Sequence, residues 1–466
     1  MPLVLATLLS ATMGYWSSGV HHVWWLAWLA PVPLLVVLPG VTAGRASLAA
    51  FSATVLAALN IVVAYPVLPA AVRAEIVGEI ALASTLVFLA WRFVARRLGA
   101  AASIVAYPAL ATAAEFLGSL RSPHGSAGAV GYSQAAVLPL IQFASLAGVH
   151  GVSMLVSLGA AAIAEGWRRR GEPGARLTAL MVAGVPLGLV LLYGTLRLRE
   201  APSAAPARIG LLADDRAIRL HRSDDSSRVL PLVRSYASRA RDLAARGATI
   251  VVLPEKMIGV IPGDSSEVRR LLAEAARAGQ LTLVAGINVM DSTAPRNRAL
   301  VFGPDGREFL DYDKRHMVPG LEDEYRIGRG PGLLAGDGVG VAICKDMDFI
   351  PLGREYARAG TRLLLVPAWD FTTDAWMHSR MAIVRGVEGG FSVARSAAQG
   401  VLTLSDAYGR VVLEVPSGSA AATGLGNLVP GPGGTWFSRI GNWLAWGAVL
   451  AGILLLVAAA RRRPAA

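Results

Sequence analysis

Seven apolar runs crowd the first two hundred residues of this 466-residue chain, at about Leu3–Val20, Val23–Leu38, Ser47–Ala70, Ala74–Ala95, Ala100–Leu120, Ala136–Ala164 and Leu177–Leu196. Most approach the roughly 20 residues that a helix needs to cross a bilayer. The Pro and Gly inside several runs are tolerable in a helical bundle, where neighbouring helices satisfy the freed backbone groups. The first run could instead be a cleaved signal peptide, but Arg45 is the first charged residue, so no basic region precedes it, and more spans follow. One last apolar run, Trp443–Ala460, ends in Arg461, Arg462 and Arg463. Only 16% of the residues are charged and 54% are hydrophobic, against about 25% charged in soluble domains. That balance excludes a disordered chain and argues against a wholly soluble one. The expected organisation is a multi-span, seven-helix α-helical membrane domain over residues 1–200, a soluble domain over 207–425 and a C-terminal transmembrane helix over 441–460.

Basic residues exceed acidic ones by 12, a surplus that nucleic acid or a membrane could explain. Their placement favours the membrane. With a cytoplasmic N-terminus, the inner loops hold Arg45, Arg96, Arg97, Arg168, Arg169, Arg170, Arg176 and the Arg461–Arg463 tail, while the outer loops hold only Arg73, Arg121, Arg197 and Arg199. The positive-inside rule then predicts two cytoplasmic termini and a soluble domain on the outer face of the inner (cytoplasmic) membrane. No nucleic acid partner is needed.

Two scarcities narrow the chemistry. Cys344 is the only cysteine, so any role it has is a thiol role. Lysine occurs three times, as Lys256, Lys314 and Lys345. Where arginine serves every other basic need, a retained lysine either survives by chance or does something that needs a compact, tunable ammonium.

Within the soluble segment, Arg208–Leu212 and Thr249–Leu253 read as buried strands with a helix between them. Val229, Val233, Tyr236, Ala240 and Leu243 recur at spacings of four and three, one face of a 3.6-residue period, and Gly247 supplies the helix stop. Strands follow at Leu281–Val289 and Ala299–Phe302, a Pro304-Asp305-Gly306 turn, then strands at Glu308–Tyr312, Val339–Ile343 and Leu363–Val366. Helices are expected over Leu352–Ala359 and Asp374–Glu388, with further strands near Phe391–Ala394 and Val401–Leu404. Alternation of this kind predicts an α/β layered domain.

Glu255, Lys314 and Cys344 each follow one of these strands, where a rigid scaffold typically carries catalytic groups. A cysteine attacks acyl carbon as thiolate and needs a base. Glu255 could take the thiol proton, and Lys314 could favour the thiolate and neutralise an oxyanion. Each residue also has a plainer reading: a small buried thiol, a solvated or capping glutamate, a surface lysine. The three together favour catalysis.

Leu253-Pro254-Glu255, Lys314-Arg315-His316-Met317-Val318-Pro319-Gly320-Leu321-Glu322 and Ile343-Cys344-Lys345-Asp346 resemble the Glu–Lys–Cys motifs of the nitrilase (CN hydrolase) superfamily. Trp25–Leu34 and Gln142–Gly151 are similar to membrane-domain signatures of its apolipoprotein N-acyltransferase family. The resemblance implies a nitrilase-like αββα sandwich and a ping-pong acyltransferase of lipoprotein biosynthesis with no metal or organic cofactor. In that scheme Cys344 takes an acyl chain from a membrane phospholipid as a thioester. The N-terminal amine of a diacylglyceryl-cysteine lipoprotein then receives it. Glu255 is the implied base, and Glu322 matches a second glutamate that orients Lys314. Lys345-Asp346 stands where the family has Tyr-Glu, which makes both candidate substrate-binding residues and leaves the natural acceptor open.

Met257 and Ile258 after Glu255, and Trp369, Phe371 and Trp376 past the cysteine strand, are either ordinary core or an apolar entry that admits a lipid tail to Cys344. Rival functions are a membrane-anchored amide hydrolase, or an N-acyltransferase acting on a different amine, with the same three residues, and a non-catalytic membrane-bound binding module. Glu79 and Glu115 lie in the spans without a sequence neighbour of opposite charge, which weakens a transporter reading.

Overall fold

The computed structural model describes the chain except residues 22, 67, 173, 201–203, 224, 262–264, 292, 337, 419–420 and 463–466, so Arg463 of the basic tail lies outside it. Residues 1–122, 126–199 and 440–466 form one compact unit, and residues 123–125 with 200–439 form the other.

Among the described residues of the first unit, six helices are long and apolar enough to cross a membrane: Ala43–Ala64, Ala70–Ala95, Ala100–Arg121, Ala144–Arg168, Ala175–Arg197 and Trp443–Arg461. The first two expected spans fall short. Leu3–Ser17 has 15 residues, and the second run breaks at Pro31 into Leu26–Leu29 and Val32–Val37. Small residues face inward, with Ala46, Ala49, Ala50 and Ala53 packed against Leu34, Leu35 and Trp91, as close helix approach in lipid requires. Large apolar residues face outward, Leu82, Leu189 and Leu454 being 58%, 61% and 58% exposed. That inversion suits a hydrocarbon solvent. Glu115 is not alone after all: its Oε1 lies 2.8 Å from Nδ1 of buried His150, from the next long helix.

The second unit is two sheets between two helical layers. The first sheet runs Ala422–Leu428, Ala207–Ala213, Ile250–Val252, Thr282–Val289, Arg296–Phe302 and Glu308–Asp313, with Gly259–Val260 also paired to Thr282–Val289. The second runs Val411–Pro416, Val401–Ser405, Ser392–Ala398, Leu363–Trp369, Val339–Val341 and Gly332–Leu333. Ile209, Leu211, Val252 and Val284 meet Val341, Ile343, Leu365 and Leu404 between the sheets. Alternate residues of the same strands, Leu212, Val251, Leu253 and Leu283, pack outward against helices Ser226–Ala245 and Ser265–Gly279. Strands buried on both faces read as unbroken apolar runs, which is why they stand out in the sequence. Helices Ile350–Arg358 and Ala375–Gly389 flank the second sheet. The expected αββα sandwich is therefore present.

The periodic face of the first soluble helix is fully met, since Val229, Val233, Tyr236, Ala240 and Leu243 are all in its core. Gly247 ends that helix at φ 91° and Gly306 turns the hairpin at φ 77°. Ala422–Leu428 carries no strong apolar pattern, yet it pairs along all seven residues of Ala207–Ala213.

Candidate active site

Glu255, Lys314 and Cys344 lie on loops leaving three strands, two in the first sheet and one in the second. The Glu255 loop is wedged between the sheets: its backbone N–H donates to Ala368 O at 3.2 Å. Gly286 makes room for it, because a Cβ there would lie 2.3 Å from Pro254 O and 2.6 Å from Glu255 Cα. Backbone at that distance has no side chain to swing aside.

Lys314 is 1% exposed. Its Nζ donates to Glu255 Oε1 at 2.8 Å and to Glu322 Oε2 at 2.7 Å. Burial alone would lower its pKa, but the charges of Glu255 and Glu322 outweigh that and hold it well above the usual lysine value. Glu322 shows the reverse: burial would raise it, and Lys314 and Lys256 together bring it down to about 2. Asn297 spans the two carboxylates, its Nδ2 donating to Glu255 Oε1 and, at 2.9 Å, to Glu322 Oε1. Its own Oδ1 is buried without a partner among the described residues, a desolvation cost of about 1–3 kcal/mol set against holding the two acids.

Cys344 is half-buried and opens a short 3-10 turn, Cys344–Asp348, with φ 41°. A non-glycine residue held in the left-handed region is strained, and such strain clusters at functional sites. Sγ sits 3.4 Å from Trp369 O. Burial raises the thiol pKa well above its ordinary value; Glu255 raises it further, while Lys314 and Arg395 pull the other way. The resting sulfur is thus a neutral thiol in the field of a carboxylate and an ammonium.

Asp346 is a brace. Its Oδ2 accepts from Tyr312 Oη at 2.7 Å and Ile343 N at 3.1 Å, and its Oδ1 from Arg315 N at 3.2 Å and His316 N at 3.0 Å, with His316 Nδ1 at 2.9 Å. One carboxylate thereby locks the Cys344 turn to the Lys314 loop. Fully buried and saturated, it has no oxygen to offer a substrate, contrary to the binding role expected of it. Lys345 is likewise engaged: its Nζ lies 3.0 Å from His124 Nδ1 and 3.3 Å from Asp348 Oδ2. Burial and Lys345 lower His124 to about 4, so its neutral ring accepts from that ammonium.

The lipid-entry expectation divides. Met257 and Ile258 are 2% and 0% exposed and belong to the core under helix Ser265–Gly279, so ordinary core explains them. Trp369 remains half-buried next to the sulfur with its Nε1 bonded to Gln399 Oε1 at 2.9 Å, and Phe371 is exposed. Sequence reasoning missed Asn297 and the Asp370–Arg395 ion pair. Asn297 faces the site from the second position of strand Arg296–Phe302, and nothing marks such a residue along the chain; Lys256 carried a signal, its scarcity.

The carbon-nitrogen hydrolase family model matches residues 216–426, and the model of the apolipoprotein N-acyltransferase N-terminal domain matches residues 10–162. An apolipoprotein N-acyltransferase from Geobacter metallireducens is 27% identical over 370 residues, covering 72% of this chain and 70% of that protein. Human omega-amidase NIT2 is 32% identical over 166 residues, or 30% of this chain and 59% of its own length. An amidase structure from Nesterenkonia sp. aligns at 19% identity with a TM-score of 0.43, covering 52% of this chain and 97% of that one. The omega-amidase match covers 30% of this chain, whereas the two family models together reach from the membrane helices through the sandwich and the Geobacter relative covers 72% of the chain. This multi-pass membrane protein therefore belongs to the apolipoprotein N-acyltransferase family, whose catalytic part is a carbon-nitrogen hydrolase domain.

Proposed function

We propose that the protein moves an acyl chain from a membrane phospholipid to the N-terminal amine of a diacylglyceryl-cysteine lipoprotein, through a thioester on Cys344. The observation that carries the reading is the coupling of the sole, strained thiol to the buried Glu255–Lys314 ion pair. In the first half-reaction the Sγ proton passes to Glu255 as sulfur bonds to the ester carbonyl carbon. Lys314 neutralises the resulting oxyanion, a contribution of roughly 3–4 kcal/mol for one such donor. The carbon–oxygen bond then breaks, Glu255 returns the proton to the departing oxygen, and lysophospholipid leaves. In the second half the acceptor amine attacks the thioester carbon, Glu255 takes a proton from nitrogen, and the carbon–sulfur bond breaks. Sulfur recovers its proton from Glu255. Glu322 acts through Lys314 rather than on substrate.

Incubation with phospholipid carrying a labelled acyl chain and a diacylated lipopeptide tests the reading. Label on the lipopeptide amine supports it; label released only as free fatty acid would make water the second nucleophile and the protein a hydrolase, contradicting it. We further propose that both termini are cytoplasmic and the catalytic unit lies outside, a reading that the arginine distribution supports. In a Cys344→Ser background, Glu274→Cys should react with an impermeant maleimide on intact cells, and Arg96→Cys only after permeabilisation. The opposite pattern would invert the topology.

A further inference from the structure

All three lysines of the chain are buried, Lys256, Lys314 and Lys345 being 9%, 1% and 5% exposed. A lysine is almost never buried without a partner. Lys314 belongs to the proposed machinery, and Lys345 is taken up by Asp348 and His124. Lys256 matches no motif and has no role so far.

Its placement is specific. It directly follows Glu255 with its backbone in the left-handed region, φ 44°. Its Nζ donates to Glu322 Oε1, while Lys314 Nζ takes Oε2 of the same carboxylate at 2.7 Å. That ammonium also lies 5.2 Å from the Tyr325 ring centroid and 5.1 Å from that of Trp369, contacts typical of a cation held by aromatic faces. Trp369 is the residue whose carbonyl oxygen stands against Cys344 Sγ. Lys256 thus ties the Glu322 loop to the wall beside the sulfur.

Charge counting gives this contact a consequence. Glu255 and Glu322 carry two negative charges, and Lys314 alone would leave an excess of one beside the thiol. Lys256 removes it. The other charged groups facing the thiol, Asp370 and Arg395, pair with each other. His221, packed on Trp369 at 4.9 Å between centroids, is kept neutral by burial and by Lys256. Inside a protein an unbalanced charge is felt more strongly than in water.

We propose that Lys256 is a positioning residue for acyl transfer: by holding one oxygen of Glu322 it stops that carboxylate from drawing Lys314 off Glu255, and it keeps the pocket neutral when sulfur gives up its proton. The proposal rests on Cys344 being the nucleophile.

Because Cys344 is the sole thiol, its alkylation by iodoacetamide, followed by intact mass in the full-length protein, reads its ionisation directly. Lys256→Met should shift the pH dependence of alkylation upward by about one unit and slow it about tenfold at pH 7, with a parallel slowing of acylation from phospholipid. Lys256→Arg keeps the charge and should stay within about threefold of the wild type. Should Lys256→Met fail to fold, Lys256→Gln makes the same prediction. A folded Met or Gln variant with the wild-type alkylation profile would overturn the proposal, as would an Arg variant that behaves like Met. Failure of the nucleophile reading looks different: Cys344→Ala would keep transferring acyl chains, whatever the alkylation profiles show.

Discussion

Glu255 can sit between the sheets only because residue 286 has no side chain. Gly286→Ala would drive a Cβ into Pro254 O and Glu255 Cα, and main chain must move to clear it. Such overpacking typically costs about 1–3 kcal/mol. If Glu255 is the base proposed above, a displacement of a few tenths of an ångström there should also cut acyl transfer at least tenfold, since misplacement by about 1 Å can cost about a hundredfold. Activity and thermal unfolding of the Gly286→Ala variant check both, and unchanged activity would show that Glu255 needs no such placement. At this scale the sequence was partly legible. Glu255, Lys314 and Cys344 were readable because each follows a strand and matches a motif, and Glu322 from the motif alone. Asn297 was not, because its role depends on the pairing of Arg296–Phe302 with its neighbours, which fixes where an inward amide lands. Asp346 was found and misassigned: its place in the motif is visible, but four of the five groups converging on it come from one distant segment, Tyr312–His316.

Among whole elements, legibility followed amphipathicity. Helix Ser226–Ala245 was readable from its spacing alone, whereas Ala422–Leu428 was not, its glycines and exposed positions giving no period. That strand is defined by its partner. Helix Ser265–Gly279 buries Val268, Leu272, Ala275 and Ala276 against the first sheet, in one core with Met257 and Ile258. Leu272→Ala should destabilise the catalytic unit by about 2–5 kcal/mol through lost burial and the cavity left behind, read as a lowered unfolding midpoint. A shift below about 0.5 kcal/mol would mean that this helix is not part of the core that supports the Glu255 loop. In the membrane unit, composition revealed the runs but not their breaks, because Pro31 divides a stretch whose hydropathy is continuous.

For the molecule as a whole, two titrations contribute to the pH dependence of the catalytic unit's stability. His378 would lose charge on burial, but Asp374, Asp348 and Asp370 outweigh that and raise it to about 9. A group with a raised folded pKa contributes stability that is complete below its unfolded value, about 6.5, and disappears as pH climbs through about 9. Glu322, lowered to about 2, contributes stability present above about 4.5 and lost as pH falls towards about 2. Unfolding midpoints should therefore decline on both sides of neutrality, and His378→Gln should flatten the alkaline decline alone. An alkaline slope unchanged in that variant would assign it to another group.

The central claim is that the lone sulfur carries the acyl chain. Intact mass of the purified protein after exposure to phospholipid tests it most directly. The account predicts an increment equal to one fatty acyl group less a hydrogen, absent in Cys344→Ala and discharged when a diacylated lipopeptide is added. An acyl increment that persists in Cys344→Ala, or one that the lipopeptide never removes, would contradict it.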